Sequence, residues 1–222
     1  MIEENLKLLK ENFPETNPFG EKVILVAAVK TQPIDAINRA ICGGVRVIGD
    51  NHAQEFRDKY EYIEGNPERH FIGHLQTNKL KYLIGKVDLY HSVDRLELAN
   101  EISKRSVKAE VVSNVLLQVN IGNEESKSGF ELEQISGAYA EIIKLPNIKI
   151  KGLMAMLPDS DDTALLRALA QKMRQKFDFL KSSDPAIEYL SMGMSGDWKL
   201  CIECGSNMVR LGTAIFGKRN YN

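Results

Sequence analysis

Short apolar runs alternate with segments of helical spacing along the whole chain. The first run, Val23–Val29 (VILVAAV), precedes a helical pattern over Pro33–Cys42. Val45–Ile48 is followed by a helix beginning near His52, and His70–Ile72 by one over Asn78–Ile84. Leu89–Ser92 leads to a helix from Asp94, an expected N-cap, to about Ser106. Val115–Val119 (VLLQV) gives way to a polar loop and then a helix over Glu131–Lys144. Ile148–Met154 runs into the Asp159–Asp162 turn and a long helix ending near Leu180. Glu188–Met192 precedes a helix over Trp198–Cys204, and Met208–Leu211 ends in a short turn at Thr213–Phe216.

Several of these runs are apolar without alternation, as strands are when a parallel sheet is buried on both faces. The helical segments carry charge on one side. The count is roughly eight strand–helix units, which matches a closed barrel better than the smaller set of an open Rossmann sheet. The 222 residues allow about 28 per unit, near the compact end of that architecture. No Pro/Gly/Ser-rich linker or change of composition divides the chain. The pattern therefore predicts one domain over residues 1–222, an α/β fold built as a single (β/α)8 TIM-type barrel, with an extra N-terminal helix packed outside. A doubly wound open sheet is the alternative, and it requires some of the shorter strands to be false.

Composition narrows the function classes. Lys+Arg 29 against Asp+Glu 30 gives a formal charge of -1, which argues against a surface built for nucleic acid or anionic lipid. No apolar run approaches the roughly 20 residues that span a bilayer. The N-terminal MIEENLKLLKENF lacks the apolar stretch of a secretory signal. Three cysteines make no disulfide framework. A reducing cytoplasm is the expected compartment.

In a (β/α)8 barrel, reactive residues sit at the carboxyl ends of strands. Lys30 follows VILVAAV directly. Desolvation there favours the neutral, nucleophilic amine, which forms imines with aldehydes. The alternative is a lysine that snorkels to solvent or pairs with a carboxylate. The segments after strands 7 and 8, Tyr189–Gly196 (YLSMGMSG) and Arg210–Gly217 (RLGTAIFG), combine glycines with the hydroxyls of Ser195 and Thr213. Loops at these two strands, with the amino end of a short helix, commonly hold phosphate in this fold. Lysine and phosphate in one barrel mouth suit either a Schiff-base aldolase for a phosphorylated sugar or bound pyridoxal phosphate. Arg210 favours the second, because at a strand end it could face the pyridine nitrogen; otherwise it is an internal salt-bridge partner. A guanidinium there disfavours protonation of that nitrogen and makes the ring a poor electron sink.

These residues belong to motifs that run through nearly the whole chain. They are Val29-Lys30-Thr31, Gly49-Asp50-Asn51 with Gln54-Glu55, His70-Phe71-Ile72-Gly73 with Leu75-Gln76-Thr77-Asn78-Lys79, Ser126-Lys127-Ser128-Gly129, Lys151-Gly152-Leu153-Met154, Leu190 through Ser195, and Val209-Arg210 through Gly217. In this order the chain resembles the pyridoxal phosphate homeostasis proteins, single-domain relatives of the barrel domain of alanine racemase. The resemblance implies an internal aldimine on Lys30, a phosphate held by Ser195, Gly212 and Thr213, Arg210 at the pyridine nitrogen and Asn51 beside the ring. It implies a cytoplasmic protein that handles pyridoxal 5'-phosphate without conventional turnover, either limiting the free aldehyde or delivering it to pyridoxal-phosphate-dependent apo-enzymes. A monomer is expected, since the chain ends after the eighth unit, without the second domain through which racemases pair. That domain also supplies the tyrosine acid/base of alanine racemases, so an amino-acid racemase is the alternative function. Two positions depart from the family: Asp50 stands where Glu is usual, and His74 where Pro is common.

Other features carry less. Cys201-Ile202-Glu203-Cys204 has redox spacing, but it lies in a predicted helix with no further ligands for zinc, and is read as core packing. His52, His70 and His91 are far apart in sequence and are read as structural. The polar Asn123–Ser128 loop could form a lid, though most such loops are solvated connections.

Overall fold

The computed structural model describes residues 1–122 and 128–217. Eight parallel strands form a closed barrel in chain order: β1 (Ile24–Ala28), β2 (Val47–Asp50), β3 (Glu68–Phe71), β4 (Leu89–Val93), β5 (Ser113–Val119), β6 (Ile148–Ala155), β7 (Tyr189–Ser191) and β8 (Met208–Leu211). β8 pairs back onto β1, with Val26 opposite Arg210, so the open-sheet alternative fails. Helices α1 (Ile2–Asn12), α2 (Ile34–Cys42), α3 (Ala53–Lys59), α4 (Leu96–Lys108), α5 (Ile135–Ile142), α6 (Thr163–Ser183), α7 (Trp198–Glu203) and α8 (Thr213–Phe216) lie outside it. Among the described residues no helix is long and apolar enough to cross a membrane.

The side-chain period of two along each strand divides the core into two layers. Inward residues Val26, Val47, Leu89, Leu116, Met154 and Met208 meet inside the barrel. The intervening positions, such as Ala27, Ile48, Tyr90, Val115, Leu153 and Val209, pack outward against the helices. This double burial is why the strands read as unbroken apolar runs. The extra helix α1 buries Ile2, Leu6 and Leu9 in the outer layer beside α2 and α8. Asn5 fixes its start by donating to the Ile215 carbonyl at 3.0 Å.

Three predicted elements need correction. Asp94 does not cap α4: the cap position is Arg95, with no side-chain cap bond. The Asp94 carboxylate is occupied by its neighbours, accepting from Arg95 Nη1 at 2.5 Å and facing His74 Nδ1 at 3.4 Å. Asp162, by contrast, caps α6, accepting from the Ala164 and Leu165 N–H groups, each at 3.0 Å. The expected helix over Asn78–Ile84 is a 3-10 segment over Thr77–Tyr82, closed by bonds such as Lys79 N–H to the Gln76 carbonyl. With only Leu80 buried along it, it lacks the apolar face that sustains a longer α-helix. The Glu131–Lys144 pattern shortens to α5, its first residues forming turns.

Candidate functional site

Continuing the inward parity past the strand ends converts sequence position into site geometry. Beyond Val26 and Ala28 it reaches Lys30; beyond Val47 and Gly49 it reaches Asn51; beyond Met208 it reaches Arg210 and Gly212. These four side-chain or backbone positions, with Ser195 and Thr213, line one cavity of about 560 Å³ at the carboxyl ends of the strands. The structure thus brings together all six residues singled out from the sequence. Ile72, Met156 and Met194 complete its apolar lining. Ile72 and Met194 fall inside the quoted motifs without a role assigned there, and Met156 is marked by strand parity alone.

Lys30 is half-buried at the end of β1. Among the described residues its ammonium has no ion-pair partner. The chain turns sharply after it. Thr31 takes a left-handed backbone (φ 62°), an uncommon conformation for a β-branched residue. Its N–H donates to Glu55 Oε1 at 2.7 Å. The same carboxylate accepts from Lys59 Nζ, which also donates to the Gln32 carbonyl. Glu55 on α3 and its lysine therefore hold the turn that fixes where Lys30 begins.

Arg210 lies beneath the opening, 5% exposed. Nη1 donates to the Ser191 carbonyl at 3.0 Å and to Ser191 Oγ at 2.6 Å, and Nη2 to the Ala155 carbonyl at 3.0 Å. Burial pulls the guanidinium down to about 10, so it keeps its charge at neutral pH. No carboxylate pairs with it among the described residues, contrary to the salt-bridge alternative.

The β7 and β8 loops supply donors. The N–H groups of Ser195, Gly196, Thr213 and Ala214 have no acceptor among the described residues. A Cβ at Gly196 would meet nothing within 4 Å, and one at Gly212 only ordinary contacts with Ala28, so both glycines leave room above the backbone. Because α8 is a single turn of 4 residues, few peptide dipoles align there. Holding an anion falls to the N–H and hydroxyl groups rather than to a macrodipole.

Asn51 carries the clearest sign of a missing partner. Its Oδ1 is buried and makes no hydrogen bond. Such an atom costs free energy unless something in the cavity satisfies it. Gly73 packs behind it so closely that a Cβ there would sit 2.1 Å from the Asn51 carbonyl oxygen.

The remaining sequence candidates divide cleanly. Cys201 is fully buried, with burial pushing its thiol up, and Cys204 is 5% exposed; both are free, as core packing requires. His74 is exposed and touches Ser128 Oγ at 3.4 Å. His70 and His91, distant in sequence, meet inside the barrel with ring centroids 4.9 Å apart. No metal-ligand cluster occurs among the described residues. The predicted lid, Asn123–Ser128, and the Ser126-Lys127 half of its motif lie outside the described residues but for Ser128.

With this geometry in place, the comparisons decide the family. Residues 1–220 match the family model described as alanine racemase, N-terminal domain. The pyridoxal phosphate homeostasis protein of Aquifex aeolicus is 44% identical over 89% of this chain and 87% of its own. That of Haemophilus influenzae is 39% identical over 100% of this chain and 97% of its own. The chain belongs to the pyridoxal phosphate homeostasis protein family. The structure of PipY of Synechococcus elongatus with PLP bound superposes with a TM-score of 0.83 at 28% identity, covering 98% of this chain and 100% of that one. Alanine racemase of Corynebacterium glutamicum, at 15% identity and a TM-score of 0.76, shares the barrel across 61% of its length; that likeness speaks to fold alone.

Proposed function

We propose that this chain binds pyridoxal 5'-phosphate in its barrel mouth and serves intracellular vitamin B6 homeostasis, without conventional catalytic turnover. The observation that carries this is the placement of a lysine amine and two donor-rich loops around one cavity with a buried guanidinium at its floor. The PLP-bound PipY structure and the printed names of the relatives support it. The donor set fits the cofactor chemically. Lys30 Nζ adds to the aldehyde carbon and water leaves, giving a carbon–nitrogen double bond. Ser195, Gly212 and Thr213 hold the phosphate, and Asn51 stands beside the ring. Arg210 donates to the ring nitrogen and, being permanently charged, does not protonate it. When bound, the cofactor supplies an electrophilic aldehyde and an electron-accepting ring; Arg210 weakens the second property. That suits storage and delivery to apo-enzymes by a cytoplasmic monomer better than catalysis.

A racemase of the alanine racemase type is the second function to test, since the family model is that of its N-terminal domain. Two-base racemisation needs an acid/base opposite the lysine. Among the described residues lining the cavity, only Lys30 and Arg210 are charged, and a buried guanidinium is a poor proton donor. Purified protein given one equivalent of pyridoxal phosphate should turn yellow, convert no L-alanine to D-alanine, and pass cofactor to an apo-enzyme faster than it escapes into solution. A colourless protein overturns binding, sustained racemisation favours the enzyme, and transfer limited by free release overturns direct delivery.

A further inference from the structure

A hydrogen-bonded chain crosses the barrel interior from one end to the mouth. Glu68 Oε1 lies 2.9 Å from His70 Nε2, and His70 Nδ1 lies 2.9 Å from His91 Nε2. His91 Nδ1 lies 3.1 Å from Ser191 Oγ, which accepts from Arg210 Nη1 at 2.6 Å. The inward parity of β3, β4, β7 and β8 places these side chains together. His70, His91 and Ser191 are all 0% exposed, whereas the Glu68 side chain is half exposed at the start of β3.

The chemistry of the groups assigns a direction. A neutral imidazole bonded at both nitrogens donates from one and accepts at the other. The Glu68 carboxylate only accepts, so His70 donates from Nε2 and accepts at Nδ1. His91 must then donate from Nε2 and accept at Nδ1. The Ser191 hydroxyl is the donor into His91 Nδ1, while its oxygen accepts from Arg210. Every bond runs the same way, from guanidinium to carboxylate, and every group is satisfied. The reverse sense needs an imidazolium in the closed interior and leaves the Ser191 hydroxyl hydrogen without an acceptor. Burial and the Arg210 charge both act to keep His91 uncharged.

We propose that Glu68, His70, His91 and Ser191 are positioning residues for Arg210. The carboxylate at the amino end of the barrel fixes both imidazole tautomers, and through them the bond that orients the guanidinium under the cavity. The link to a bound ring rests on the cofactor assignment above; the tautomer chain does not.

Nitrogen-15 NMR of the histidine rings in the cofactor-free protein at neutral pH tests the chain by itself. The expected spectrum shows His70 and His91 both neutral with the proton on Nε2. Glu68→Ala should mix the tautomers of both rings, and Glu68→Gln, which keeps an acceptor oxygen, should restore them. Because Glu68 is half exposed, neither change requires the core to repack. A parent ring protonated on Nδ1, or a His91 signal unmoved by Glu68→Ala, overturns the chain. The absorption band of pyridoxal phosphate on the loaded protein is the second readout. Glu68→Ala should shift it and weaken binding about five-fold, as for a lost hydrogen bond, with Glu68→Gln closer to the parent. An unmoved band with altered tautomers denies any influence on Arg210 and overturns the positioning role. If the parent itself takes up no pyridoxal phosphate, the cofactor assignment and the positioning role fall together, and the tautomer result still decides the chain.

Discussion

Asp50 ends β2 as a residue only 4% exposed, next to Asn51 in the cavity wall. Burial first, and then the nearby Glu55 charge, push it up to about 7. The unfolded chain ionises it near pH 4. The folded state therefore holds the proton more tightly, and the stability this contributes is lost as pH rises from about 4 through about 7. Asp50→Asn removes the penalty. Urea denaturation should show the variant and parent nearly equal at pH 4 and the variant ahead at pH 8, by on the order of 2–4 kcal/mol. A difference that does not change with pH contradicts the assignment. At this scale the sequence was legible where a residue sits at a strand end, as Lys30 and Arg210 do, because the barrel rule ties those positions to chemistry. It was opaque where partners are chosen in space. His70 and His91 occupy inward positions of adjacent strands, yet 21 residues separate them in the chain. Asp94 had the right chemistry for a cap, but Arg95 and His74 compete for its oxygens.

The loops after β7 and β8 act as a pair, and neither is held by regular structure alone. Asp197 Oδ1 accepts from the Met194 N–H at 2.6 Å, and Arg210 N–H donates to the Gly193 carbonyl at 2.9 Å, joining one loop to the next strand. Ser195→Ala and Thr213→Ala should each weaken pyridoxal phosphate binding roughly tenfold by fluorescence titration, the loss of one charge-assisted hydrogen bond. Unchanged affinity in both variants removes the phosphate from these loops. β6 shows the opposite case, a glycine required by packing. Gly152 has φ 153°, and a Cβ there would lie 1.8 Å from the Tyr189 carbonyl oxygen on the neighbouring strand. Gly152 also sits where the β5–β6 register shifts, between Val115 and Leu116. Gly152→Ala should cost roughly 3 kcal/mol or more by thermal unfolding, and a cost below about 1 kcal/mol contradicts that packing. Strand existence was readable from double-sided burial. Helix edges were not, because turns such as Thr77–Tyr82 and the start of α5 are settled by tertiary contacts rather than propensity.

Across the whole molecule, closure of eight strands sets one open face where parity delivers lysine, amide, guanidinium and two loops to a common cavity. The count of eight apolar runs was enough to expect that closure, because it matches the barrel number, and the pairing of β8 onto β1 completes it. A second tie closes the outer shell. Glu21 accepts from Arg174 Nη1 at 2.7 Å and Lys181 Nζ at 2.6 Å, binding α6 to the segment before β1. These residues are separated by more than half the chain, and no local pattern announces them. The account turns on Lys30 being the amine that captures the aldehyde. Borohydride reduction of protein loaded with one equivalent of pyridoxal phosphate, followed by peptide mass mapping, tests it most directly. The expected result is a single phosphopyridoxyl group on Lys30, absent from Lys30→Ala; label on another lysine, or spread over several, contradicts it.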